Sequence, residues 1–165
     1  MFEIIQQPGG HYWKGGNTKK YILVHHTASS RNTTLAQILR FFKLSELVSV
    51  HYVIGKYGEI VQMINENDRA WHAGKSKWGP DTNLNNCSIG IEILSDGYDF
   101  NDYQREAAQW LCRNICLRNN IPVYRVLRHS DVSPNRKWDV GETFYKPYFG
   151  DKWADFQISL THPNK

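Results

Sequence analysis

An apolar run near the N-terminus limits most strongly how this chain can fold. Residues 21–26 read Tyr-Ile-Leu-Val-His-His, which is rich in the β-branched and aromatic residues that strands favour. A short run of this kind between polar segments predicts a buried strand. Because side chains alternate across a strand, His25 and His26 must point to opposite faces. Only one of these two histidines can therefore face a site on a given side of the sheet.

Strand and helix patterns are mixed along the rest of the chain. Further strands are predicted at residues 50–55, 60–64, 88–94 and 123–127, the first two as a hairpin. Helices are predicted at residues 35–47, 102–118 and 153–160. The residue pair Asn101 and Gln104 resembles a capping box, whereas residues 1–20 and 65–87 are predicted as loop-like connections. This order predicts an α/β fold with a central mixed β-sheet flanked by helices.

Composition sets the broad class of protein. The 165 residues fit a single domain over 1–165, and a monomer is expected. No apolar run reaches the roughly 18 residues of a membrane helix, and the N-terminus lacks the pattern of a signal peptide. We therefore expect synthesis in the cytoplasm and no membrane insertion. The three sparse cysteines argue against a disulfide framework, and Cys112 and Cys116 are predicted as core residues.

The charge and the aromatic content are compatible with a cell-wall partner. The net charge of +4 suits an anionic partner, although charge alone does not distinguish a wall from nucleic acid. Six Trp and nine Tyr allow stacking on sugar rings as well as core packing. No motif indicates nucleic-acid binding, so a nucleic-acid partner is not expected.

A polar segment at residues 128–139 follows another predicted strand and contains His129, Lys137 and Asp139. A catalytic zinc ion needs three protein ligands and one open position for water. One histidine from the pair at 25–26, together with a histidine and an aspartate from this segment, would complete such a set. Residue types alone leave open that these histidines are structural.

Five segments, in order, give the chain its resemblance to a known family. They are residues 24–28 (Val-His-His-Thr-Ala), 49–54 (Ser-Val-His-Tyr-Val-Ile), 70–74 (Ala-Trp-His-Ala-Gly), 88–92 (Ser-Ile-Gly-Ile-Glu) and the segment 128–139. The chain resembles the type 2 N-acetylmuramoyl-L-alanine amidases, which include phage endolysins, a cytoplasmic muropeptide-recycling amidase and the peptidoglycan recognition proteins. The resemblance covers a core of about residues 20–145.

The resemblance implies a zinc ion (Zn2+) held by His25, His129 and Asp139. His25 is preferred to His26 because of its spacing from the Thr27-Ala28 step. Many relatives carry Cys at the third ligand position, whereas Asp matches the recycling enzymes, and a carboxylate oxygen is an acceptable zinc ligand.

Further residues have predicted roles near this metal. Glu92 faces away from three isoleucines on its strand and is the candidate general base, although a salt-bridged structural Glu is the alternative. Lys137 is the candidate for stabilising the oxyanion, against a solvated loop lysine. Trp71 and His72 are implied as substrate-binding residues of a groove loop. Two remaining positions have predicted supporting roles, Asp131 beside a metal ligand and His51 as a structural histidine.

The implied function is zinc-dependent hydrolysis of the amide bond between N-acetylmuramic acid and L-alanine in peptidoglycan. A phage endolysin that is released to the host wall at lysis is the expected setting. A cytoplasmic amidase that recycles anhydro-muropeptides is the main alternative. A non-catalytic peptidoglycan-binding module and an inhibitor of a partner protein are two further alternatives. The presence of a full set of predicted ligands and of Glu92 favours an enzyme over a binding module.

Overall fold

The computed structural model describes residues 1–162. The strands in this range are β1 (Ile4–Gln6), β2 (Tyr12–Trp13), β3 (Tyr21–His26), β4 (Tyr52–Ile54), β5 (Ile60–Gln62), β6 (Arg69–Ala70), β7 (Lys77–Trp78), β8 (Asp81–Thr82), β9 (Ser88–Ile93) and β10 (Val126–Arg128). The helices are α1 (Leu35–Leu44), α2 (Asp102–Asn119), α3 (His129–Val132) and α4 (Trp153–Ser159). None of the helices in the described range is long and apolar enough to cross a membrane.

A six-stranded mixed sheet organises the fold. Its strand order is β1-β5-β4-β9-β3-β10, and every neighbouring pair is parallel except the antiparallel hairpin β4–β5. Strand β3, which lies between β9 and β10, is buried along its whole length, as expected for a strand covered on both faces. Its register with β9 places His25 beside Glu92. The predicted α/β fold with a central mixed sheet is confirmed.

The two faces of this sheet differ in character. One face carries the isoleucines of β9 and packs against α2 and α4 in the largest apolar cluster. On the other face, a cluster around Val53 packs beneath α1, and a second cluster around Leu23 packs against Val132 of α3. Burying each such side chain contributes about 1.5–3 kcal/mol. Polar residues, among them His25 and Glu92, lie on the second face, so a cleft can open there without exposing the main core.

Several boundaries differ from the prediction. The lead-in at residues 1–20 contains two short strands, of which β1 extends the main sheet beside β5 and β2 pairs with β6. Helix α1 ends at Leu44, and Leu47 is exposed beyond it. A 3-10 turn occupies residues 123–125, so β10 begins only at Val126. The predicted capping box at α2 is confirmed by reciprocal bonds between Asn101 and Gln104.

Candidate metal centre and active site

Three side chains from distant parts of the sequence meet at one end of the sheet. The Nδ1 atom of His25 lies 2.9 Å from Nδ1 of His129 and 3.0 Å from Oδ2 of Asp139. The third side of this triangle, from His129 Nδ1 to Asp139 Oδ2, is 3.1 Å. All three residues are buried. His25 ends up here because it lies near the end of β3, and His129 because it follows β10 directly.

The outer ring nitrogen of His129 determines which tautomer the ring adopts. Its Nε2 atom lies 2.9 Å from the carbonyl oxygen of Ala73. A carbonyl oxygen only accepts, so Nε2 carries the proton and donates it in this bond. The Nδ1 atom of the neutral ring is therefore a bare lone pair directed at the centre of the triangle.

A relay of hydrogen bonds sets the tautomer of His25 in the same way. The hydroxyl of Ser88 donates to the carbonyl of Leu84 at 2.6 Å, so it accepts from Nε2 of His72 at 3.3 Å. The Nδ1 atom of His72 is then bare and accepts from Nε2 of His25 at 2.9 Å. His25 Nδ1 consequently has no proton. Burial also lowers the pKa of His25 to about 4, which keeps the ring neutral at neutral pH.

These assignments allow the fit of a metal ion to be tested. Two bare ring nitrogens and a carboxylate oxygen converge within about 3 Å without a proton donor between them, and lone pairs placed so closely repel one another. A cation at the centre removes this repulsion. Two imidazole nitrogens and one carboxylate oxygen form a donor set that zinc accepts in catalytic sites. The residues present therefore fit a zinc ion, as the sequence predicts.

The structure separates His25 from His26. His26 lies on the opposite face of β3, where its Nδ1 accepts a hydrogen bond from the N–H of Gly141 at 3.2 Å. Its ring packs against Trp138, with the ring centroids 4.3 Å apart. Of the two histidines, only His25 is brought to His129 and Asp139.

Glu92 lies beside this centre without a partner. It stands next to His25 in the β3–β9 register, and its Oε2 atom is buried with no hydrogen-bond partner in the described chain. Burial raises the pKa of Glu92 well above its usual range, the negative charge of Asp139 raises it further, and Lys137 opposes both. No ion pair with Glu92 occurs among residues 1–162. The salt-bridged alternative is therefore not supported, and the proton-transfer role stays a prediction.

A cleft of about 310 Å³ gives access to these groups. Its walls include the three candidate ligands, Glu92, Ser49 and residues of α1. Lys137 is an exposed residue of the same loop as Asp139 and also lines the cleft. An amide carbonyl entering the cleft would therefore meet the candidate ligands, a carboxyl group and an ammonium group.

His72 has a role that sequence reasoning did not foresee. Its ring is buried and lies over Gly90, where a Cβ atom would be only 2.5 Å from the ring. Gly90 therefore provides the space that His72 needs to reach His25. The substrate contact predicted for His72 and Trp71 stays a prediction, whereas the orienting bond to His25 is present. One sequence feature could have indicated this role of His72. Gly90 lies between Ser88 and Glu92 on the side of β9 that faces the site.

Two supporting predictions had different outcomes. His51 is structural, as predicted, because its ring accepts from the N–H of Gly90 at 3.0 Å and donates to the carbonyl of Asp68 at 2.9 Å. The prediction that Asp131 steadies a metal ligand was wrong. Its carboxylate binds the guanidinium of Arg128 and accepts from the backbone N–H of that residue. Asp131 thus pairs with a nearby arginine and caps the start of α3.

Comparison with known proteins identifies the family. A family model described as N-acetylmuramoyl-L-alanine amidase matches residues 15–142, a range that contains the three candidate ligands and Glu92. The chain therefore belongs to the N-acetylmuramoyl-L-alanine amidase family. The family resemblance carried by the five sequence segments is confirmed.

Two curated relatives illustrate this family membership. N-acetylmuramoyl-L-alanine amidase AmiD of Escherichia coli K12 is 32% identical over 142 residues, which cover 76% of this chain and 50% of AmiD. The 1,6-anhydro-N-acetylmuramyl-L-alanine amidase AmpD of Haemophilus influenzae is 40% identical over 100 residues, which cover 59% of this chain and 54% of AmpD. The chain spans about half the length of these curated relatives.

Solved structures share the fold. E. coli AmiD in complex with the substrate anhydro-N-acetylmuramic acid-L-Ala-D-gamma-Glu-L-Lys has a TM-score of 0.71 and 28% identity, covering 86% of this chain and 57% of that chain. A mutant endolysin from Bacillus subtilis has a TM-score of 0.72 and 29% identity, covering 97% of this chain and 99% of that chain.

The assignment of the ligands predicts the metal content of two matched variants. His25→Ala removes one of the three candidate ligands, so purified protein should lose most of its zinc, because three protein ligands are the usual minimum of a catalytic site. His26→Ala, the control, changes the neighbouring buried histidine on the other face and should keep about one zinc per chain. Metal analysis by mass spectrometry, with circular dichroism to establish folding, makes the comparison. Zinc retained in folded His25→Ala and lost from His26→Ala would reverse the assignment.

Proposed function

We propose that this protein is a zinc-dependent amidase that cleaves the bond between N-acetylmuramic acid and L-alanine in peptidoglycan. The observation that carries the proposal is the convergence of His25, His129 and Asp139 in a cleft beside Glu92, whose buried Oε2 has no hydrogen-bond partner among residues 1–162. The names of the curated relatives support the same bond as the target. The substrate bound to the related AmiD contains that bond as well.

The chain's own residues would divide the chemistry as follows. Zinc, when bound, lowers the pKa of a water molecule towards about 7 and so makes a nucleophile available at neutral pH. Glu92 accepts the proton of the attacking water, because its carboxyl group lines the cleft and has no other partner within residues 1–162. The same carboxyl then returns the proton to the amine of L-alanine as the amide bond breaks.

Lys137 would act on the oxygen of the reacting carbonyl. The carbonyl oxygen gains negative charge as water attacks, and an ammonium group in the cleft wall can stabilise that charge. Lys137 is two residues from Asp139, so the turn that brings the carboxylate to the histidines also brings the lysine to the cleft. The same cleft therefore contains a positively charged group, Lys137, and a proton-accepting group, Glu92.

We propose the cell-wall polymer as the natural substrate, in the setting of an endolysin released to the wall at lysis. The 29% identity to an endolysin structure over nearly the whole of both chains supports this setting. The similarity to AmpD supports the alternative of soluble anhydro-muropeptides. Purified sacculi and soluble anhydro-muropeptides, offered to the same enzyme with products identified by mass, decide between the two. Binding to sacculi without release of peptides would instead indicate a binding module.

Glu92→Gln tests the proton shuttle. Glutamine keeps the shape of the side chain but cannot accept a proton, so kcat should fall by roughly a hundredfold or more. The zinc content should stay unchanged, because Glu92 is not among the converging ligands. The measurement is turnover of a soluble muropeptide together with metal analysis of the same preparation. Nearly normal turnover in the zinc-loaded variant would exclude this role.

Lys137→Ala tests the stabilisation of the developing charge. A group that meets charge only in the transition state should affect kcat more than KM, with a loss on the order of a hundredfold in kcat. Lys137→Arg should recover little, because a planar guanidinium does not replace a compact ammonium at a close site. Kinetics at low and high salt provide the check. A change confined to KM that fades as salt rises would show that Lys137 only attracts the wall through its charge.

A further inference from the structure

Three aromatic side chains lie together on β2 and beside β6, two of them exposed (His11 and Trp13) and one half-buried (Trp71). The antiparallel register of β2 and β6 pairs Trp13 with Arg69, so alternate residues on these segments share the outer face. Trp71 lies edge-on to Trp13 with the ring centroids 6.4 Å apart, and His11 lies 5.9 Å from Trp71 in a tilted arrangement. We call His11, Trp13 and Trp71 the aromatic platform.

The platform is held in place although it is exposed. Trp13 has 57% of its surface accessible, yet the guanidinium of Arg69 covers its ring at 4.9 Å from the centroid. The Nε of Arg69 also donates to the carbonyl of Gly15 at 3.2 Å, and the N–H of Gly15 donates to Asp68 at 2.7 Å. An exposed tryptophan that is already fixed loses little side-chain entropy when a ligand stacks on it.

The platform adjoins one wall of the cleft. Trp71 directly precedes His72, whose buried ring contacts His25. Trp71 also exchanges two hydrogen bonds with Ser49, one of the residues that line the cleft, at 2.8 and 3.0 Å. The segment that carries Trp71 therefore lies directly against the part of the cleft wall that Ser49 and His72 form.

We propose that the aromatic platform binds the glycan strand of peptidoglycan next to the muramic acid whose stem peptide is cleaved. The proposal rests on the proposed amidase function and deepens it by naming a polymer of several N-acetylated sugars as the preferred substrate. Sugar rings present C–H faces that stack on aromatic rings, and the exposed, fixed Trp13 offers such a ring. A soluble muropeptide with a single sugar would end within the cleft and gain nothing from the platform.

Trp13→Ala tests the platform, because this residue contacts neither the candidate ligands nor Glu92. In the zinc-loaded protein, kcat/KM on purified sacculi should fall on the order of tenfold, as expected for the loss of one stacking surface. Turnover of a single-sugar anhydro-muropeptide serves as the reference in the same preparation, and the ratio of the two activities is the result. A fluorescence titration with the hexamer of β-1,4-linked N-acetylglucosamine should show a similar weakening.

Tyr103→Ala is the matched control, because Tyr103 is an exposed aromatic residue on α2, which packs against the opposite face of the sheet. It should leave the activity ratio unchanged. An unchanged ratio in Trp13→Ala, or the same change in Tyr103→Ala, would overturn the proposal. Oligothymidylate that competes as well as the sugar hexamer would overturn it too, by indicating a nucleic-acid surface. If the wild type cuts neither substrate, the amidase function fails, and the hexamer titration still decides whether the platform binds glycan.

Discussion

At the candidate metal centre, three electron pairs lie so close together that they repel one another. The hydrogen bonds around the centre must hold the side chains in place against this repulsion. Two neutral imidazole nitrogens and a carboxylate oxygen lie about 3 Å apart, an arrangement that a cation at their centre stabilises. Side chains would normally rotate away from such a contact. They are kept there by outer-shell hydrogen bonds, His129 by the carbonyl of Ala73 and His25 by His72, which is how proteins orient metal-binding histidines.

Strand β9 supplies most of this support through three residues on one face. Ser88 binds the ring of His72, Gly90 leaves the space which that ring occupies, and Glu92 places a carboxyl group beside His25. The isoleucines that alternate with them belong to the main apolar cluster on the opposite side. One six-residue strand thus anchors the core with one face and builds the candidate active site with the other. This division explains how polar groups can be buried at the centre of the sheet without weakening the core.

Much of the sheet and of the candidate site could be predicted from the sequence. The continuous apolar run before His25 predicts a buried strand, and the alternation around Glu92 has a period of two that also predicts which side of that strand carries the carboxyl group. The ligand set needed the family resemblance, because spacing alone left several histidines and aspartates open. The orienting role of His72 and the pairing of Asp131 with Arg128 depend on contacts between distant segments. No local pattern encodes such contacts, and the short β2 strand that carries the aromatic platform was missed for the same reason.

The most direct test of this account is a crystal structure of the zinc-loaded protein with anomalous diffraction measured on both sides of the zinc absorption edge. The convergence of lone pairs predicts a single strong anomalous peak about 2.0–2.2 Å from His25 Nδ1, His129 Nδ1 and an oxygen of Asp139. Glu92 should stand near this peak without binding it. A zinc-saturated crystal with no peak at this position, or with the metal bound instead through His26 or Glu92, would contradict the account.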